Sequence, residues 1–169
     1  MGDLSITKYG NEVLRKVAEP VEEINDEIIQ IVADMLEAMY KFEGVGIAAP
    51  QIGISKRIVI VDTEPSNPAS KPIVLINPEI VEKDGEIGED EGCLSVPEIR
   101  GDVKRAERVV VEGIDLEGNK IRVEGTELLA RALQHEIDHI NGKLFIDHLS
   151  RLKKQLIKNQ LRKIEKGED

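Results

Sequence analysis

Residues 134–139 read Gln-His-Glu-Ile-Asp-His and hold two of the three histidines in the chain. His135 and His139 are four residues apart. On a helix that spacing stacks both imidazoles on one face, one turn apart, so a single metal ion meets both. Glu136 lies beside that face, where a carboxylate can take a proton from water activated by such an ion. With so few histidines, chance predicts roughly 0.01 His-Glu-x-x-His patterns in a chain of this composition. Two ligands do not complete a site. The sole cysteine, Cys93, lies in Glu91-Gly92-Cys93-Leu94-Ser95 and is the candidate third ligand. Its thiolate with two imidazoles leaves one coordination position open, as a catalytic ion requires, whereas a structural ion takes four protein ligands. A buried core cysteine is the competing reading, and His148 is a rival ligand further along the chain.

The elements that position these residues follow from periodicity and punctuation. Thr126 can cap a helix in which Leu128, Leu129, Ala132, Leu133, Glu136 and Ile140 recur at helical spacing, and Asn141-Gly142 ends it with a left-handed cap. Asn25 or Asp26 can cap an earlier helix carrying Ile28, Ile29, Val32, Met35, Leu36, Met39 and Tyr40, stopped by Gly44. Residues 44–51 have too many small side chains for an ordinary helix or strand. Ile58-Val59-Ile60-Val61 reads as a buried strand, residues 62–72 with three prolines as a loop, and residues 73–76 and 79–83 as two further strands before an Asp84-Gly85 turn. Residues 108–116 and 120–124 flank Glu117-Gly118-Asn119 as a hairpin. Leu149, Leu152, Leu156, Ile157, Leu161 and Ile164 predict one last helix, basic on its other face. Strands in the middle with helices before and after imply an α+β fold. Residues 1–148 form the catalytic domain in this reading, and residues 149–169 a basic helical extension of it.

Composition narrows the class of function. The chain has 169 residues, enough for one domain. Its hydrophobic content is 40% but its aromatic content only 2%, so Ile, Val and Leu must build the core and stacking platforms for bases are nearly absent. The net charge is −10, yet residues 150–169 hold seven basic and three acidic side chains, which leaves −14 on the rest. An acidic body is a poor general nucleic-acid binder, so no DNA partner is expected. One cysteine cannot form an intramolecular disulfide. The first residues, Met1 to Ile6, show no basic-then-apolar leader and no myristoylation pattern. No apolar run approaches the ~18 residues of a membrane span. The expected location is the cytoplasm, with no membrane partner.

Three segments, Gly44-Val45-Gly46-Ile47-Ala48-Ala49-Pro50-Gln51, Glu91-Gly92-Cys93-Leu94-Ser95 and Gln134-His135-Glu136-Ile137-Asp138-His139, in this order and at these distances, resemble peptide deformylase. The likeness extends to Val13-Leu14-Arg15, Ala18-Glu19-Pro20-Val21 and Gly142-Lys143-Leu144-Phe145, and to the C-terminal helix of the typical bacterial form. It implies a hydrolase that removes the N-formyl group from the initiator methionine of nascent polypeptides and releases formate. The fold it implies wraps antiparallel sheets around a central His-Glu-x-x-His helix. It also implies one divalent ion on Cys93, His135 and His139, with Fe(II) as the native metal and Zn, Ni or Co as substitutes. Glu136 is then the proton acceptor. The Gln51 amide and the Leu94 backbone N–H match the oxyanion donors, each of a kind worth about 3 kcal/mol. Val45 and Leu128 match positions that line the methionine pocket, with Ala132 one turn on. Gly46 matches a backbone contact to the peptide. Arg100 is carried over as a substrate contact, against the competing reading of a solvated side chain. Arg131 falls where many relatives have an apolar residue, which predicts an altered pocket rim. Docking of the basic last helix to ribosomal RNA near the nascent-chain exit is implied as well. The alternatives to this reading are a zinc peptidase sharing His-Glu-x-x-His, and a metal-binding module on the ribosome without catalysis.

Overall fold

The structure is a computed structural model and describes residues 5–167; the reading of residues 1–4 lies outside them. Two layers of helix enclose a sheet. Helix α1 (Asp26–Lys41) starts at Asn25, whose side chain accepts from the Ile28 amide. Five strands, β1 (Gly46–Ala48), β2 (Ile58–Val61), β3 (Ile73–Asp84), β6 (Arg108–Ile114) and β7 (Lys120–Thr126), form an antiparallel sheet in the order β1-β2-β3-β6-β7. Strands β4 (Ile87–Cys93) and β5 (Val96–Arg105) pair separately, joined by the two-residue turn Leu94-Ser95. Helix α2 (Glu127–Ile140) packs on β1, β2, β6 and β7. The fold is α+β with antiparallel sheets, as the sequence predicts.

Strand β2 shows why its four residues are all apolar. Ile58 and Ile60 face α1, against Ile28, Val32, Met35 and Met39. Val59 and Val61 face α2, against Ala130, Leu133, Ile137 and Ile140. Each alternation therefore meets a core, and each fully buried aliphatic side chain contributes roughly 1.5–3 kcal/mol. A third core lies under β5, where Val96, Ile99 and Val103 meet Leu144, Phe145 and Leu149.

Several expectations are corrected. Residues 46–48 of the small-residue stretch form a fully buried strand, and Ala49–Ile52 a single 3-10 turn. The two strands expected at 73–76 and 79–83 are one strand that continues past Pro78, with a register shift and Asn77 at φ +52°. The first strand of the hairpin stops at Ile114, two residues before the expected Leu116, and the second runs on to Thr126. Thr126 holds the N-cap position of α2 but its side chain makes no cap bond. The last helix is two, α3 (Arg151–Leu156) and α4 (Lys158–Glu165), interrupted at Ile157. The apolar stripe shifts phase there. Ile157 is buried with Leu161 and Ile164 packed beside it, while Leu152 and Leu156 are about two-thirds exposed. No helix among the described residues is long and apolar enough to cross a membrane.

Asp62, at the end of β2, ties the proline-rich loop to α1. Its carboxylate accepts from the Tyr40 hydroxyl (2.7 Å), the Ser70 hydroxyl (2.7 Å) and the Glu64 amide (3.0 Å). Its own amide donates to the Val45 carbonyl just before β1. Burial by itself raises the Asp62 carboxyl, but these donors outweigh it and hold it below the usual carboxylate range. A carboxyl depressed in the folded state stabilises fully above its unfolded pKa, about 3.9, and loses that contribution as pH falls through the folded value. Asp62→Asn is expected to cost about 2 kcal/mol at pH 7, the scale of a hydrogen bond to a charged group. Urea unfolding across pH should show the gap to wild type closing below about pH 4.

Candidate active site

Helix α2 is unusual in being buried almost all round while carrying Arg131, Gln134, His135, Glu136 and His139 inside. Each polar group must therefore find a partner. Gln134 staples the helix to the β5–β6 connection by accepting from the Ala106 amide and donating to the Ala106 carbonyl, both at 3.0 Å. His135 and His139 project from the next turns. Their Nε2 atoms are 3.3 Å apart, and Cys93 Sγ, at the end of β4, is 3.3 Å from His139 Nε2. One ligand atom from each of the three lies within 4.8 Å of the others. Two nitrogens bound tetrahedrally at about 2.1 Å stand about 3.4 Å apart, so the spacing fits one ion. His148, the rival ligand, lies elsewhere and is bonded to Asp138 at 2.8 Å.

Charge agrees with geometry. Burial pushes the Cys93 thiol up, but the His139 and His135 imidazoles overcome this and hold it well below the usual thiol range. His135 is pushed down by burial and raised further by Cys93 and Glu136, to a net position well above its ordinary value. Cys93 thus favours its thiolate form beside the two imidazoles.

The side chains around this group come from separate elements. Gln51, on the 3-10 turn after β1, is oriented by its own backbone. Its Oε1 accepts from the Ala48 amide (2.9 Å), which turns Nε2 toward Ser95 Oγ (3.3 Å) and Cys93 Sγ (3.6 Å). Glu136 is fully buried, and burial raises its carboxyl above the usual range. Its Oε1 and His139 Nδ1 are the buried side-chain polar atoms without a hydrogen-bond partner among the described residues. A cavity of about 670 Å³ opens here. It is lined by Val45, Gly46, Gln51, Cys93, Leu94, Arg100, Leu128, Ala132, His135 and Glu136, every site residue expected from the sequence except His139, which lies just beneath. Leu128 is half-exposed at its mouth, and Arg100 is exposed and paired with Asp90.

Glu91 was part of a motif but had no assigned role. No strand alternation in the sequence marks it, since the residues just before it are charged and the register shifts between Gly92 and Cys93. Its Oε1 is 2.7 Å from His135 Nδ1. Arg105 grips both of its oxygens at 2.8 Å. Burial alone would raise the Glu91 carboxyl; His135 and Arg105 reverse this and hold it far below the usual range. A carboxylate only accepts, so His135 Nδ1 carries the proton and Nε2 is the nitrogen that faces Cys93 and His139. Arg131, expected to disturb the pocket rim, is buried, with its guanidinium on Glu91 and on the carbonyls of Val103 and Ile87.

A family model described as polypeptide deformylase matches residues 3–155. The chain belongs to the polypeptide deformylase family. It is 49% identical over 162 residues to a peptide deformylase of Thermodesulfovibrio yellowstonii, covering 96% of this chain and 98% of that one. It is 48% identical to one of Tolumonas auensis, covering 99% of each. Among solved structures, the peptide deformylase of Legionella pneumophila superposes with a TM-score of 0.90 at 44% identity, over 98% of this chain and 96% of that one. The Synechococcus elongatus peptide deformylase, solved in complex with actinonin, gives 0.89 at 41% identity, over 93% and 87% of the two chains. Membership makes this chain a metal-dependent hydrolase acting on the N-formyl group of nascent peptides, with a Cys-His-His group in its site.

Gly46 shows how closely the site is built. A Cβ there would meet Glu136 Oε2 at 2.6 Å and Cγ at 3.0 Å. Gly46→Ala must push the carboxylate aside. A displacement near 1 Å at a reacting group costs about 10²-fold. The expected result is a loss of that order in kcat, with bound metal unchanged by elemental analysis.

Proposed function

We propose that the chain deformylates N-formylmethionyl nascent peptides with Glu136 as general base and acid and Gln51 and Leu94 as oxyanion donors. Cys93, His135 and His139 hold the metal in this reading. The observation that carries it is the buried, unpartnered Oε1 of Glu136 beside a Cys-His-His group at a cavity. When bound, a divalent ion there supplies the Lewis acidity that makes water acidic and polarises the formyl carbonyl. Everything else is done by the chain itself. Glu136 accepts the proton of the attacking water and returns it to the departing amine; its burial favours the protonated form that the second transfer needs. Gln51 Nε2, turned by Ala48 toward Cys93, and the Leu94 backbone N–H following Cys93 receive the charge that develops on the formyl oxygen.

Val45, Leu128 and Ala132 give the methionine side chain an apolar wall, Gly46 offers its backbone to the peptide, and Arg100 stands at the rim. Fe(II) is proposed as the resident ion, with Zn, Ni or Co as substitutes, and the cytoplasm as the place of action. The soft thiolate ligand is open to oxidation. Metal analysis of protein purified without air should find iron, and its activity should decay on aeration.

Formate release from formyl-Met-Ala-Ser, beside the unformylated peptide, tests the reaction; turnover of the unformylated peptide instead would indicate a peptidase. Glu136→Ala should keep its metal and lose roughly 10²–10⁴-fold in kcat. Cys93→Ala should lose the metal itself. Turnover of Glu136→Ala within a few-fold of wild type would remove Glu136 as the base.

Residues 149–169 are proposed as an extension of the catalytic domain that docks on ribosomal RNA through Arg151, Lys153, Lys154, Lys158, Arg162, Lys163 and Lys166, all exposed but the half-buried Lys153. Because Ile157 is part of the third core, truncation would disturb the domain, and neutralisation is the sharper test. Replacing Lys154, Lys158, Arg162 and Lys163 by Gln should abolish co-sedimentation with ribosomes at low salt and spare turnover of a short formyl peptide.

A further inference from the structure

Arg131 lies one turn before His135 on α2, and its guanidinium is buried. Nη1 donates to Glu91 Oε2 (2.5 Å) and to the Val103 carbonyl (3.0 Å), and Nη2 donates to the Ile87 carbonyl (2.9 Å). It therefore bonds both strands of the β4–β5 hairpin at once. Arg105 holds the same carboxylate from β5, and its Nη1 continues to Asp138 Oδ2 at 3.0 Å. Each Glu91 oxygen accepts two bonds. Oε1 takes Arg105 and His135, and Oε2 takes Arg105 and Arg131.

A single forked arginine already satisfies a buried carboxylate. The second adds positive charge to an interior that disfavours it; Asp138 answers Arg105 at 3.0 Å, and Glu89 lies 3.6 Å from Arg131 Nε. What Arg131 adds is a connection. Arg131 and His135 stand at i and i+4 of one helix and take the two opposite oxygens of Glu91. The carboxylate is thereby spanned by α2, and it belongs to the strand that carries Cys93 two residues later. The three candidate ligands come from these two elements alone, so the spacing between Cys93 and the imidazoles depends on how firmly β4 is held to α2.

We propose that Arg131 is a positioning residue for the metal site: it holds Glu91 on His135 Nδ1 and fixes β4, with Cys93, against α2. This rests on the assignment of Cys93, His135 and His139 as ligands. Groups that orient metal ligands are typically worth about 10–100-fold in metal affinity or activity.

Arg131 also lines the cavity, so the replacement must keep an unbranched stem. Zinc-loaded wild type, Arg131→Met, Arg131→Lys and Arg108→Met are compared for zinc release to a chromophoric chelator, for kcat and KM on formyl-Met-Ala-Ser, and for Tm. Arg108 pairs with Asp84 and Glu124 on the five-stranded sheet and controls for loss of an ion-paired arginine. Arg131→Met is expected to release zinc about 10–100-fold faster with KM unchanged. Arg131→Lys keeps the charge but has no planar fork, and should fall between. Arg108→Met should release zinc as wild type does. Wild-type release from Arg131→Met overturns the proposal, whether its Tm falls or its KM rises, because either change then reports packing or the pocket wall alone. If Arg131→Met does not fold, Arg131→Lys decides, and release at the wild-type rate overturns the proposal. Wild type that holds no zinc overturns the ligand assignment itself, an outcome distinct from all of these.

Discussion

One buried carboxylate organises this molecule. Glu91 sits where strand β4 meets helix α2 and receives His135, Arg105 and Arg131 on its two oxygens. A carboxylate in an apolar interior is tolerable only when its charge is answered and its lone pairs are filled. Meeting that requirement brings β5 in through Arg105 and the far end of the motif in through Asp138. The same bonds leave His135 with its proton on Nδ1 and its Nε2 toward Cys93 and His139. The constraint that makes a charged core bearable also sets the geometry of the ligand group.

The rest of the fold delivers a rigid wall to that junction. A central sheet with apolar residues on both faces needs a helix on each side, and α1 and α2 supply them. Strand β1 runs close to α2 because Gly46 and Ala48, the residues on that side, are small, while Ile47 packs with α1. At Gly46 the backbone and the Glu136 carboxylate occupy space that a Cβ would fill. Gln51 follows at once, its amide orientation set by the Ala48 N–H rather than by the ligands it faces. Glu136 and Gln51, two side chains proposed to act on substrate, are therefore both set against one short buried segment, residues 46–51.

Electrostatics divides the molecule by depth. The deep site pairs its charges into a closed network, while the surface of the five-stranded sheet carries an open one, in which Arg108 and Arg122 answer Glu82, Asp84, Glu112 and Glu124. Such exposed pairs contribute little each and are screened by salt. The exposed basic residues of α3 and α4 stand apart from both, on the segment that Ile157, Leu161 and Ile164 anchor to the third core.

The sequence by itself determined what depends on neighbours along the chain. His135, Glu136 and His139 could be read as one chemical group because helical spacing is local and places them on adjacent turns whatever else folds. The burial of residues 58–61, a helix cap at Asn25 or Asp26 and a hairpin turn at Glu117-Gly118-Asn119 were legible for the same reason, although the first hairpin strand ends two residues early. The β4–β5 hairpin was not, because its inward side is built from Glu91 and Arg105 beside valines, so the alternation that marks a half-buried strand is hidden by charge. The phase shift at Ile157 was invisible too, since Leu152 and Leu156 continue the apolar pattern but no core lies beneath them. Arg131 looked like an intrusion into a pocket, and tertiary structure made it a tie between two elements. Residues 91, 105, 131 and 138 meet only when a hairpin closes onto a helix. Which buried charge answers which is decided by that approach, because Coulomb and hydrogen-bond energies depend on distances in space that sequence separation does not encode.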